Sequence, residues 1–363
     1  MAKTGNKGEW SEIYTLFKLL GDKQVFAGDA NLNRIEALFY PIIKILRSEN
    51  DGNHEYMIDN TANLIFISDN NKKLFEIPIL TFRKQATQLL SEIKSAQGSS
   101  FSIPETEKFM NTIACKQIKA KSTDKSDIKI VIHDLRTNAN PLLGFSIKSQ
   151  LGGASTLLNA GNTTNFIYNI KNLLLSDSQV NKINQIDGNS KIKDRIFEIK
   201  HLGGHLEFQT TECEIFKNNL TLIDSLLPDI LAACLQIFFS SDLKTIKQIT
   251  DKLEKDNPLH FDIKDNHRFY EYKMKRFLVD VALGMMPSKV WNGQYDATGG
   301  YLIVKDDGNI VCYHIYNRND FESYLYNNTK FETASSTRHN FGTVEKIDGK
   351  QILKLNLQIR FTR

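Results

Sequence analysis

The chain has 363 residues, 41% of them hydrophobic and 24% charged, which excludes general disorder and provides for a substantial core. Its formal charge of +4 is a mild excess that admits a nucleic-acid partner without requiring one. Cys115, Cys213, Cys234 and Cys312 stand far apart with no CxxC pair, which sets aside a zinc ribbon and a disulfide framework.

In chain order, "EWSEIYTLFKLL" places Trp10, Ile13, Tyr14, Phe17 and Leu20 at helical spacing, with Glu9, Glu12 and Lys18 between them. An apolar stretch around Pro41 leads into three short runs, "EYMID", "NLIFIS" and "KLFEIPI", whose turn residues predict an antiparallel meander. "LTFRKQATQLLSEIKSA" and "PETEKFMNTIAC" read as helices, the second with Pro104 near its start. A lysine-rich loop follows, with Lys116, Lys119, Lys121 and Lys125. Two strands come next, "DIKIVIHD" and "GFSIKSQ", joined by the turn "LRTNANP". From about Ser176 to Leu283 the pattern is mostly helical, and its most apolar piece, "DILAACLQIFF", is too short to span a bilayer. The end of the chain is mixed, with strands "GYLIVK", "NIVCYHIY" and "QILKLNLQIRF". The N-terminus lacks the apolar core of a signal peptide, so a cytoplasmic protein without a membrane partner is expected. No GxxxxGK[ST] loop occurs, which points away from ATP.

The two central strands carry the chemistry. Hydrolysing a phosphodiester with a divalent metal needs carboxylates to hold a hard cation and a positive group near the scissile phosphate. In "DIKIVIHD", Asp134 continues the face of Ile128, Ile130 and Ile132, and reads either as a metal ligand or as a strand-end carboxylate with a structural partner. In "FSIKSQ", Ser146, Lys148 and Gln150 share one face, and a lysine on an apolar strand needs polar partners or a solvent-filled cleft. Ser146 stands where the pattern Asp…(Asp/Glu)-x-Lys has an acid. A second carboxylate must therefore come from elsewhere, and Glu12, on the polar side of the first helix, is the candidate.

Three segments, "NKGEWSEIYTLFKLL", "DLRTNANPLLGFSIKSQLGGASTLLNAGNTTNF" and "YLYNNTKFETASSTRHNFG…LKLNLQIRF", together resemble the HpaII family of type II restriction endonucleases, within the PD-(D/E)XK nuclease superfamily. The resemblance implies an α/β fold: a PD-(D/E)XK nuclease core, a central mixed sheet flanked by helices, with a large helical insertion and a C-terminal mixed region. Residues 1–175 would hold the N-terminal helix, meander and catalytic strands, 176–285 the helical region, and 286–363 a mixed region that contacts DNA. It also implies Mg²⁺-dependent cleavage of double-stranded DNA at a short palindrome, CCGG for the namesake, leaving a 5′-phosphate and blocked by cytosine methylation.

On this resemblance Asp134 and Glu12 hold the metal, Lys148 acts on water and phosphate, and Ser146 and Gln150 assist. Base and phosphate contacts are expected from Ser155, Thr156, Asn159, Asn162, Thr163 and Asn165, and from Lys330, Thr333, Ser336, Arg338 and His339. A palindromic site also makes a homodimer an expectation. Two alternatives stay open at this point: a sequence-specific DNA-binding protein without catalysis, and a structure-specific repair nuclease on the same core.

Overall fold

The N-terminal apolar stripe becomes helix α1, Lys7–Asp22, in the computed structural model, which describes residues 2–49, 52–69, 72–119 and 126–362. Lys121 and Lys125 lie outside the described residues. Asn6 and Glu9 cap α1 reciprocally, and Trp10, Ile13, Tyr14, Phe17 and Leu20 are all buried. Strands β1 (Gln24–Gly28), β2 (Arg34–Glu49), β3 (Gly52–Asp59), β4 (Leu64–Asp69) and β5 (Lys72–Pro78) follow. Helices α2 (Ile79–Ser95) and α3 (Pro104–Thr112) lead to β6 (Ile128–Ile132) and β7 (Leu142–Ser149).

The chain continues through β8 (Thr156–Leu158), β9 (Asn165–Lys171), α4 (Asp177–Gln185), α5 (Lys191–His201), β10 (His205–Thr211), α6 (Glu214–Ile223), α7 (Leu227–Ser240), α8 (Ile246–Asp256) and α9 (Phe269–Leu283). It closes with β11 (Gly300–Val304), β12 (Ile310–His314), α10 (Arg318–Asn327), β13 (Thr329–Phe331), β14 (Val344–Ile347), β15 (Lys350–Asn356) and β16 (Ile359–Phe361). The architecture is mixed α/β.

Two units form, each from two stretches of chain: Met1–Ser155 with Tyr295–Tyr324, and Thr156–Gln294 with Leu325–Thr362. The C-terminal region is therefore divided between them, because β11 and β12 return to the sheet of the first unit. That sheet has the order β1-β12-β11-β7-β6-β2-β3-β4-β5, and β1 also pairs with β2. Six strands thus close on themselves while β3, β4 and β5 extend as the expected antiparallel meander. Closure depends on the length of β2. Its first half pairs with β1 up to Pro41, its second half pairs with β3 and β6, and the register to β6 shifts between Ile42 and Lys44.

The sheet is mixed: β7 runs parallel to β11 on one side and antiparallel to β6 on the other. Its core includes Phe145, Ile147, Ile130 and Ile132 from this centre, packed with the apolar face of α1. The second unit holds a four-stranded sheet, β10-β9-β15-β14, and a three-stranded one, β13-β16-β8. Helix α7 is its core helix, with Leu227, Ile230, Leu231, Cys234 and Leu235 buried. Among the described residues no single helix is long and apolar enough to cross a membrane.

Candidate active site

A hairpin sets the geometry. Strands β6 and β7 pair antiparallel with Ile128 opposite Phe145 and Val131 opposite Leu142. This register lays Asp127, the residue before β6, against Ser146. The Asp127 amide donates to the Phe145 carbonyl at 2.9 Å, and its Oδ2 accepts from the Ser146 hydroxyl at 3.1 Å and from the Ile147 amide at 2.7 Å. Ser146 is buried, so its hydroxyl helps to fix the carboxylate.

Lys148 follows on the Ser146 face. Its Nζ lies 5.4 Å from the ring centre of Tyr301, which β11 places opposite Ser146. Burial lowers the Lys148 pKa from the ordinary lysine value, while Asp127 and then Glu12 oppose that shift by favouring the ammonium. Helix α1 delivers Glu12: Ser11 Oγ and Ser149 Oγ are 2.7 Å apart, which ties the turn of α1 that carries Glu12 to the end of β7. Glu9, one turn earlier, is already committed to Lys119 at 2.9 Å and to the helix cap. Gln150 continues the ladder, its amide donating to the Val304 carbonyl at 2.8 Å.

Asp127 and Glu12, the two carboxylates whose charge acts on Lys148, offer hard oxygen donors. Mg²⁺ is held by one or two carboxylates together with phosphate oxygens and water, so the donors present fit such an ion. Among the described residues no three His, Cys, Asp or Glu side chains gather into a metal-binding group, so the remaining ligands would come from substrate and solvent.

Asp134 is not brought to Lys148. It stands at the closed end of the hairpin, bridged to Ala139, and roughly 30 Å of extended chain separates Ala139 from Lys148. Its Oδ1 accepts from the Arg136 amide at 2.9 Å and its Oδ2 from the Thr137 hydroxyl at 3.0 Å, the pattern of a turn-forming aspartate. The physical reason is direction. In an antiparallel hairpin the residue nearest the turn is remote from the far end of the partner strand, so the acid beside Lys148 is Asp127, at the opposite end of "DIKIVIHD".

The residues expected to contact DNA fall in two groups. Ser155 ends the first unit, half-buried. In the second unit Asn159 and Asn162 are exposed and Thr156 and Thr163 half-buried, with Thr156 paired to Arg360. Asn165 is fully buried instead of presenting its amide to solvent: its Nδ2 donates to Glu212 Oε2 at 2.7 Å and to the His339 carbonyl at 2.8 Å. That bond joins the two polar segments singled out from the sequence. Asn356 reinforces it, donating to Asn165 Oδ1 at 2.7 Å and to the Gly161 carbonyl at 2.8 Å. In the second segment Arg338 and Thr333 are exposed, Ser336 and His339 half-buried, and Lys330 bridges to Thr245. The role of Asn165, and of its partners Glu212 and Asn356, gave no local sign, since the contacts join positions far apart in the chain.

The type II restriction enzyme HpaII of Haemophilus parainfluenzae is 50% identical over 359 residues, covering 99% of this chain and 98% of that enzyme. No solved structure matches. With the HpaII restriction endonuclease family matching residues 6–361, the chain belongs to that family.

Proposed function

We propose that this type II restriction endonuclease cuts double-stranded DNA at CCGG with Asp127, Glu12 and Lys148 as its catalytic set, on a PD-(D/E)XK core. The observation that carries the reading is Asp127 held across the hairpin by Ser146 and Ile147, next to the half-buried Lys148 on the same face of β7, with α1 and its Glu12 tied to the end of that strand. Asp127 and Glu12 would hold Mg²⁺. Bound there, the ion supplies Lewis-acid polarisation of the phosphate and charge compensation at the leaving oxygen.

The remaining work falls to the chain. Water attacks phosphorus in line, an O–P bond forms, and the P–O3′ bond breaks to leave a 5′-phosphate and a 3′-hydroxyl. Lys148, its pKa lowered by burial, accepts the proton of the attacking water and steadies phosphate charge once protonated. Ser146 holds the Asp127 carboxylate in place through its hydroxyl. In this reading the serine replaces the usual acid without emptying the site, because Glu12 brings the second carboxylate from α1. Two copies of the chain, one per strand, suit a palindrome.

The test is digestion of plasmids with and without CCGG in Mg²⁺, followed by sequencing of the ends. Discrete fragments ending within CCGG, lost on cytosine methylation and in Asp127→Asn, are expected. Fragments ending elsewhere, or full cleavage by Asp127→Asn, would overturn the assignment.

A further inference from the structure

Beyond β7 the chain lines a second polar feature of the first unit. A cavity of about 600 Å³ is walled by Lys7, Ser99, Ser149, Gly152, Gly153 and Ser155, among others. Lys7 Nζ donates to the Lys94 carbonyl at 3.2 Å and has no carboxylate partner among the described residues. A half-buried cation in a polar wall without a carboxylate partner leaves a place for an anion. The first-turn amides of α1 are not the attraction, because Asn6 already accepts from the Glu9 amide.

The glycines point the same way. A Cβ at Gly152 would press on Lys7 Cβ at 3.3 Å, which accounts for that residue within the fold. Gly153 is different: its backbone is not in the left-handed region, and a Cβ there would meet nothing within 4 Å. The folded chain does not itself require glycine at 153, whereas a partner lying directly on the backbone would.

Ser149 belongs to this wall and is one residue from Lys148 at the end of β7, its side chain on the other face of the strand beside Ser11 of α1. Phosphates of one DNA strand succeed each other at about 3.4 Å along the axis, so a strand with its scissile phosphate at Lys148 has neighbouring phosphates within reach of residues 149–155. We propose that the cavity seats a non-scissile backbone phosphate next to the one that is cut, with Lys7 as its cationic clamp and Gly152–Gly153 as the surface on which it lies. The proposal rests on the assignment of Lys148 to the active site. Lys7 is then a positioning residue that sets the register of the strand and reads no base.

The experiment measures binding to CCGG duplexes in Mg²⁺ with Lys148→Gln protein, so that DNA stays intact, using duplexes with a single neutral methylphosphonate at each phosphate in turn. Lys7→Gln is expected to weaken binding about tenfold and to reduce the slope of log affinity against log salt by about 0.9. One flanking methylphosphonate should weaken the Lys7 protein and have no further effect on Lys7→Gln. Gly153→Val, whose side chain has open space, should weaken binding likewise, and in the cleaving enzyme the loss from Lys7→Gln should fall on KM more than on kcat. An unchanged salt slope, or methylphosphonate effects that add in full to Lys7→Gln at every position, would overturn the proposal. If Lys148→Gln still cuts DNA, it is the active-site assignment that fails, and the salt slope and coupling still judge the phosphate seat as a binding site.

Discussion

The hairpin β6–β7 carries an aspartate at each end, and each accepts two hydrogen bonds on its carboxylate. At the closed end the donors to Asp134 are Arg136 and Thr137, inside its own turn. At the open end the donors to Asp127 are Ser146 and Ile147, on the other strand, and the next side chain on that face is the half-buried Lys148. Counting hydrogen bonds does not separate the two. Their source does: a carboxylate satisfied by its own turn specifies a turn, whereas one held across a sheet beside a half-buried lysine is the one the proposed reaction uses.

The contrast is broken most directly by paired substitutions. Asp127→Asn should lower single-turnover cleavage by about 10³-fold or more, as for groups that act as a unit, while Asp134→Asn should cut at close to the parent rate. Equal losses in the two variants would erase the distinction. Next in size is Lys148→Arg, which keeps the charge but cannot release a proton near neutral pH, and a loss of at least about 10²-fold is expected. Near-parental cleavage by that variant would reduce Lys148 to a point charge. Its pH dependence sharpens the point. Burial depresses the Lys148 pKa, so the neutral amine, and with it the rate, should rise with pH along a limb lying below the ordinary lysine value of 10.5. In the residual activity of Lys148→Arg that limb should be missing. Glu12→Gln should cost about 10²-fold and be partly restored by more Mg²⁺, since it removes one of two oxygen donors and leaves Asp127 in place.

Much of the first unit was legible because its signals are local. The stripe of α1, the meander β3–β5 and the proline start of α3 each follow from spacing within a dozen residues. The places of Lys148 and Glu12 were legible too, one on an apolar strand and the other on the polar side of an amphipathic helix. Asp127 was not, although it stands in the same eight-residue run as Asp134. Alternation assigns a face and leaves the end of the strand undetermined; register, set by the turn, decides which end meets Lys148. The short connection "LRTNANP" already required an antiparallel pair, and that requirement favours the first residue of the run over the last. Other features had no local trace. The return of β11 to flank β7 spans roughly 150 residues of sequence, and the burial of Asn165 depends on Glu212 and on the carbonyl of His339. A polar residue between glycines looks like a loop until its distant partners are known.

The smallest effect concerns the closed end. Asp134→Asn keeps an acceptor for the Arg136 amide but weakens the bond from Thr137, and about 1 kcal/mol of stability should be lost at pH 7. The pH dependence follows from the sign of the shift. The Arg136 amide, as the largest cause, followed by the Thr137 hydroxyl, lowers the Asp134 pKa from 3.8 against the opposing effect of burial. A depressed carboxylate pKa contributes stability above the unfolded value, and that contribution disappears as pH falls through the folded value. In urea denaturation the parent's advantage over Asp134→Asn should therefore hold at neutral pH and shrink below about pH 4. A gap of constant size at both pH values would mean that the charge adds nothing and that residue 134 serves the turn by shape alone. That outcome would leave the site at Asp127 untouched, because the two ends of the hairpin share a register and no hydrogen-bond donor.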